Sequence, residues 1–280
     1  MHSCSQELIQ ENTSPRLNQG HPCFSIGKHE KAGRIHLAVA PACNISCNYC
    51  VRKFDCANES RPGVTSKVLN PEEALKQVYD AKQSAIGKYL NVVGIAGPGD
   101  PLANPATYKT LALVHESFPE LSLCLSTNGL LLPEKIDDLV NLGVSHITVT
   151  VNTLDEGTAS AIYGYIQWKG HSYIGFDAAR ILIENQLRGI QLASEAGLTI
   201  KINTVVIPGL NDNGLEALAR EVKQRGAHLL NLMPLIPQAK FAHRISPSRQ
   251  ELTELRQQLV PILPQMTHCQ QCRADAIGLL

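Results

Sequence analysis

Apolar and polar positions along the chain fall into two periods. Six runs are strand-like: RIHLAVA (34–40), YLNVVGIAG (89–97), LSLCLSTNG (121–129), VSHITVTVN (144–152), LTIKINTVVIPG (198–209) and AHLLNLMPLIP (227–237). Segments of helical spacing lie between most of them. NPEEALKQVYDAKQSAIG (70–87) offers Asn70 as N-cap, Pro71 at the first helical position and acids in the first turn. LPEKIDDLVNLG and LEALAREVKQRG each stop at a glycine, a common helix end. GFDAARILIENQLRGIQLASEAG is long and amphipathic. Strand alternating with helix predicts βαβ units and a parallel sheet, and six such strands predict an α/β partial or full barrel.

The phase within each strand carries more. Ile35, Leu37 and Val39 share one face of the first run, and His36, Ala38 and Ala40 the other. Leu121, Leu123 and Leu125 oppose Ser122, Cys124, Ser126 and Asn128. Ile147, Val149 and Val151 oppose His146, Thr148, Thr150 and Asn152, and Ile200 and Ile202 oppose Thr199, Lys201 and Asn203. Helices have to cover the apolar face. The other face is polar, whereas an ordinary eight-stranded barrel fills its interior with bulky aliphatics. The expectation is a polar enclosed cavity; the alternative is an open sheet with its second face in water. GIAGPGDP and STNG end their strands where α/β enzymes place ligands, which favours the cavity.

Composition narrows the function class. The 280 residues carry 25 Lys and Arg against 25 Asp and Glu, so no net field draws nucleic acid or an anionic membrane. No run approaches the ~18 apolar residues of a membrane span. Residues 1–20 are polar and lack the apolar stretch of an export signal, so they are expected to form a flexible arm on a cytoplasmic protein, with residues 21–280 as one domain. Nine cysteines, an odd number at tight spacings and without an export signal, point to metal or redox chemistry rather than structural disulfides.

Three of the nine, Cys43, Cys47 and Cys50, fall in ACNISCNYC directly after the first strand. Zinc sites use paired C-x2-C units that sum to four ligands, and ferredoxins use C-x2-C-x2-C with a fourth cysteine. The C-x3-C-x2-C spacing fits neither. A [4Fe-4S] cube held by three thiolates keeps one iron free to chelate the amino and carboxylate groups of S-adenosylmethionine (SAM). An electron from the cube then splits a C–S bond of the sulfonium, and the resulting 5′-deoxyadenosyl radical abstracts hydrogen. A fourth thiolate would block that iron.

In this motif the sequence resembles the radical SAM superfamily, whose fold is a partial (β/α)6 barrel. The resemblance implies that Tyr49 lies near the adenine. It implies that GIAGPGDPL, through Gly97, Gly99 and Asp100, receives the methionyl amino group, although a Glu is more usual than Asp100. Ser126 and Asn128, with Thr150 and Asn152, fall where ribose and carboxylate are held, and Ile207 in VVIPG falls in the adenine-side motif.

Six cysteines remain. Cys269 and Cys272 in THCQQCRADAIGLL need further partners, for zinc or for an electron-relay cluster, and HPC offers Cys23 at the other end of the chain. Cys56 follows the triad in KFDCANESRPG. Cys124 and His36 face the interior by phase; alone, Cys124 would more often be a small buried hydrophobe and His36 a hydrogen-bonded core histidine. Cys4 reads as an unliganded thiol. Glu59 and Arg61 suit proton transfer and charge balance near anionic clusters, or a plain surface ion pair. Residues 153–173, with Trp168 and three of the seven tyrosines, read as a lid or a packed helical insert.

Taken together, HPC, GRIHLAVAPACNISCNYC, DCANESRPG, GIAGPGDPLANP, LSTNG, MPLI and CQQCRADAIGLL closely resemble the NifB family of nitrogenase cofactor maturases, from about His21 to Leu280. Some members carry a further C-terminal domain, so the expectation is a stand-alone core with cluster-binding extensions at both termini. The resemblance implies three [4Fe-4S] cubes: a radical SAM cube on Cys43, Cys47 and Cys50, and two substrate cubes, one on His36, Cys56 and Cys124 and one on Cys23, Cys269 and Cys272. Fusion of the two substrates around a SAM-derived carbide, with an extra sulfide, would give the eight-iron precursor of the nitrogenase cofactor. Expected partners are an iron–sulfur cluster donor, a downstream cofactor scaffold and an electron donor such as ferredoxin or flavodoxin, with no nucleic acid and no membrane. Two other readings stand beside this one: another radical SAM enzyme (activase or peptide modifier) with auxiliary electron-transfer clusters, and a non-catalytic iron–sulfur carrier.

Overall fold

The structure, a computed structural model, describes residues 20–25, 32–61 and 63–279. All of the expected arm except Gly20 lies outside the described residues, and so does Cys4. Six parallel strands follow the order of the chain across one sheet: β1 (Gly33–His36), β3 (Leu90–Ile95), β4 (Ser122–Thr127), β5 (Val144–Thr150), β8 (Thr199–Val206) and β9 (Leu229–Pro234). Each new strand adds to the same edge, so the sheet curls into the expected partial barrel.

The two faces of each strand separate as their phase predicts. Ile35, Leu37, Leu123, Leu125, Ile147, Val149, Ile200 and Ile202 all enter one core under the helices. The opposite face is polar and buried: His146, Thr148, Thr150, Asn152, Thr199, Lys201, Asn203 and Asn231 are each at most 5 % exposed. The second face is therefore enclosed rather than wetted. Ladder register stacks its side chains in rows. One row crosses His36, Gly94, Cys124, His146 and Thr199. A row nearer the C-terminal ends of the strands carries Ser126, Thr148 and Lys201, and a third carries Thr150, Asn203 and Asn231.

The helix Pro71–Gln83 starts at a full capping box between Asn70 and Glu73, which satisfies two otherwise orphaned backbone donors. The helices Pro105–Ser117 and Arg249–Leu259 go beyond the segments singled out from pattern. The first buries Thr107 and Thr110 among its core positions, which blurs its apolar stripe. The second is mostly polar, and its readable signal is the Ser248/Glu251 capping box.

Two elements depart from the sequence expectation. Residues 153–173 are a helical insert only in part. The short helix Glu156–Ile162 runs into a hairpin, β6 (Tyr163–Trp168) and β7 (His171–Tyr173). Strand β6 pairs antiparallel with β2 (Ile45–Cys47), which is the cysteine loop itself. The second departure is β10 (Ile277–Leu279), an antiparallel strand on the free edge of β1. Before it, Gln265 bridges Leu230 of β9 at the opposite edge. The C-terminal segment thus joins both edges of the open sheet and carries Cys269 and Cys272 across the gap between them, leaving neither edge bare.

Candidate functional site

The cysteine loop is shaped by its partners. Pairing of β2 with β6 holds Ile45 to Cys47, and Gln167 N donates to Asn44 O at 2.7 Å. A turn then closes from Cys50 N to Cys47 O, 3.0 Å. Cys43, Cys47 and Cys50 line one cavity with Tyr49, Asn58, Glu59, Gly99, Asp100, Ser126, Asn128 and Thr150. Amide hydrogens point at two of the sulfurs: Asn128 Nδ2 is 3.9 Å from Cys43 Sγ and Asn58 Nδ2 4.0 Å from Cys47 Sγ. Burial pushes the Cys43 thiol up to about 11, helped by the Asp100 charge, and raises Cys47 further, helped by Cys50.

Cys56 lines the same cavity. Burial raises its thiol, and the charges acting on it are those of Cys50, Cys43 and Cys47. Its surroundings are therefore those of the triad, while Cys124 lies elsewhere, among Cys23, Lys201 and Glu59.

The strand ends above the cavity are held by internal hydrogen bonds. Gly99 is required by close approach: a Cβ there would lie 2.1 Å from Ala42 O, next to Cys43. Gly97 adopts φ +141°, open to glycine and costly for other residues. Asp100 accepts from Leu102 N, Thr127 Oγ1 and Asn128 N, the last at 2.7 Å, and so clamps the end of β3 to that of β4. Burial raises its carboxyl despite those donors. Tyr49 Oη donates to Asn58 Oδ1 at 2.5 Å and accepts from Asn152 Nδ2 at 2.7 Å. Asn152 also donates to Tyr163 Oη and accepts from Val205 N, which commits its amide to the scaffold. Ser126 and Thr150 present side chains to the cavity. Ile207 is buried in the apolar cluster that also contains Tyr49 and Phe241.

A second group of donors lies deeper, toward the N-terminal ends of the strands. His36 Nδ1 is 3.0 Å from Arg273 O. A carbonyl only accepts, so Nδ1 carries the hydrogen and Nε2 presents its lone pair, the arrangement of a ligating histidine. His36 and Cys124 flank Gly94: a Cβ on Gly94 would lie 3.0 Å from Cys124 Sγ and 3.1 Å from His36 Cδ2. Cys23 and Cys269 pack on one small cluster of Phe24, Leu229 and Met266, and His268 Nε2 donates to Pro22 O at 2.9 Å, tying the two segments together. Cys272 Sγ accepts from Arg34 Nη2 at 2.8 Å. Burial pushes Cys23 up to about 11 and lowers His36 to about 4.

Glu59 and Arg61 part company. Asn203 Nδ2 donates to Glu59 Oε1 at 2.8 Å inside the barrel, and burial raises the carboxyl. Arg61 is exposed and lines an outer depression beside Cys272 and Asp275. Pattern reading passed over Asn58, whose amide meets both Tyr49 and the triad; nothing in the phase of a loop marks it. Phase marks Lys201 as an interior side chain and indicates no role for it.

Among the described residues, no three His, Cys, Asp or Glu side chains converge closely enough for one metal ion. Thiolates with one imidazole are soft donors of the kind that hold iron–sulfur cores.

Residues 37–222 match the radical SAM superfamily. The chain is 49% identical over 267 residues to FeMo cofactor biosynthesis protein NifB of Klebsiella pneumoniae, covering 93% of this chain and 57% of that protein. It is 44% identical over 280 residues to NifB of Azotobacter vinelandii, covering 97% and 55%. The chain thus spans little more than half the length of the curated relatives it matches. Among solved structures, Streptococcus suis SuiB superposes with a TM-score of 0.61 at 14% identity, covering 87% of this chain and 52% of SuiB, a likeness of fold alone. Among the described residues no helix is long and apolar enough to cross a membrane. The chain belongs to the radical SAM superfamily, and the NifB proteins are relatives it resembles along nearly its whole length.

Proposed function

We propose that the chain is a radical SAM enzyme that fuses two [4Fe-4S] substrates, with insertion of a SAM-derived carbide and an extra sulfide, into the eight-iron precursor of the nitrogenase cofactor. The observation that supports this most is the placement of two donor groups in one barrel: the C-x3-C-x2-C triad at the C-terminal strand ends, and His36, Cys124, Cys23, Cys269 and Cys272 below it. Likeness to the NifB proteins at 49% identity points the same way.

In this reading Cys43, Cys47 and Cys50 hold the radical SAM cube, which when bound supplies an electron to the sulfonium of SAM. Three thiols leave one iron for SAM. Asn128 and Asn58 donate toward the sulfurs of Cys43 and Cys47. Gly97, Gly99 and Asp100 shape the methionyl end, and Ser126 and Thr150 face the ribose. Tyr49 and Ile207 form an apolar wall toward the adenine. His36 and Cys124, with Cys56 swung toward them from the triad side, hold one substrate cube; Cys23, Cys269 and Cys272 hold the other. Glu59, whose carboxyl burial raises, takes and returns protons beside them. An iron–sulfur donor, a downstream scaffold and a low-potential electron donor such as ferredoxin or flavodoxin complete the assembly.

The test is anaerobic reconstitution followed by addition of SAM labelled on its methyl carbon. About twelve irons from three cubes, two cluster signals lost on turnover and label in an acid-labile cluster support the reading. Auxiliary signals that persist through SAM cleavage, with no label in the clusters, would show a different radical SAM reaction.

A further inference from the structure

Lys201 points into the barrel from β8 and is 5 % exposed. Its ammonium lies 3.9 Å from Met266 Sδ and 5.1 Å from the centroid of the Phe24 ring. Neither is an anion, and among the described residues Lys201 forms no ion pair. A buried ammonium held by a thioether and a ring face has lost its water, and its charge is balanced only by acidic groups beyond ion-pair distance. The acidic groups within electrostatic reach are Cys23, Glu59, Cys269 and Cys124.

His21 adds a second unmet need. Cys23 N donates to His21 Nδ1 at 3.1 Å, so Nδ1 is the acceptor and Nε2 carries the hydrogen. That Nε2 is buried with no hydrogen-bond partner among the described residues, as is Nε2 of His146. The His21 and His146 rings stand 4.6 Å apart, and both pack on Phe24, the ring that Lys201 covers. Orphaned buried donors are rare in folded proteins, and here a cation and an N–H donor collect on one ring beside Cys23 and Cys269.

We propose that Lys201 Nζ and His21 Nε2–H form a cradle for the inorganic sulfide face of the iron–sulfur core carried by Cys23 and Cys269, holding the substrate by its anionic sulfur rather than by its iron. This rests on the reading of those cysteines as cluster ligands. The two groups are positioning residues: one supplies charge, the other direction.

The experiment compares wild type, Lys201→Met, Lys201→Arg and His21→Leu as full-length chains, reconstituted anaerobically with iron and sulfide. The cluster-free Lys201→Met protein should melt close to the wild-type temperature, because the near contacts of the ammonium are a thioether and a ring that methionine can also pack against. After reconstitution it should hold about four fewer irons, or carry an auxiliary cluster whose midpoint potential is more negative. The triad signal and its response to SAM should be retained. Lys201→Arg should restore loading, and His21→Leu should shift the same auxiliary signal. Lys201→Met protein that loads about twelve irons at wild-type potentials overturns the cradle while leaving the cluster reading intact. Lower melting with equal loss from all three sites also overturns it, since that is a structural lysine. Wild-type protein that takes up only about four irons overturns the cluster reading and the cradle with it.

Discussion

The Nδ1 hydrogen of His36 is donated to the backbone carbonyl of Arg273 across 3.0 Å, which binds a residue of the first strand to the C-terminal segment and turns the Nε2 lone pair toward Gly94 and Cys124. A neutral imidazole leaves iron more readily than a thiolate does. On the proposed function, with His36 as an iron ligand, His36→Cys is expected to keep all three clusters but to slow their fusion. Iron counting with paramagnetic resonance before and after SAM checks this; normal fusion in that variant would remove the histidine from the argument.

Gly94 separates His36 from Cys124 by offering no side chain. The Cβ of Gly94→Ala would press on both at 3.0–3.1 Å. The expected cost is about 1–3 kcal/mol of stability from overpacking, together with loss of about four irons, one cube, from the reconstituted protein. A variant that retains full iron content would separate this position from cluster binding.

Loading should depend on pH. Burial holds Cys43 and Cys23 near 11 and raises Cys47 and Cys56 as well, so these four thiols are protonated at neutral pH in the cluster-free protein. Iron binding displaces those protons, and affinity rises with pH. Reconstitution at pH 9 should need less iron and sulfide than at pH 7; a flat profile would contradict buried thiols as ligands.

The cluster-free fold should weaken in mild acid. Burial lowers His146 to about 4, so it stays neutral in the fold while the unfolded chain protonates near 6.5. The unfolded state binds more protons in that window. Stability is then intact above pH 6.5 and falls toward pH 4, by on the order of 3 kcal/mol from this residue. His146→Leu should flatten the slope in denaturant melts between pH 7 and 4.

Gln167 N donates to Asn44 O from a strand whose side chain faces solvent. Gln167→Pro removes that donor and should cost about 1–3 kcal/mol, with reduced yield of the SAM-responsive cluster signal. Gln167→Ser keeps the backbone bond and should behave as wild type. Equal yields in the two variants would show that the hairpin does not shape the cysteine loop.

How far the site could be read in advance depended on the range of the interaction. The interior position of His36, Cys124, Ser126, Thr150 and Lys201 followed from a period of two residues, because a strand turns alternate side chains to opposite faces wherever it pairs. The start of the helix at Pro71 followed from a cap that spans four residues. By contrast, pairing of Tyr163–Trp168 with Ile45–Cys47 had no local mark: its partner lies more than a hundred residues away, and a register shift breaks its alternation. The exposed place of Arg61 and the interior place of Glu59, two residues apart, were equally hidden, because a loop has no fixed phase.

The sequence by itself determined the kind of protein: a curled parallel sheet, apolar outside and polar within, with three cysteines at a spacing that leaves one iron open. Those features are periodicities and short spacings, set by backbone geometry within a few residues. Tertiary structure alone decided which cysteines share surroundings, that Cys56 lines the triad cavity, and that the segment from Gln265 to Leu279 closes the sheet at both edges. Among the described residues, it alone left Lys201 inside without an ion pair and His21 Nε2 without a hydrogen-bond partner. Such outcomes depend on contacts between distant parts of the chain, and no local pattern records which surfaces will meet.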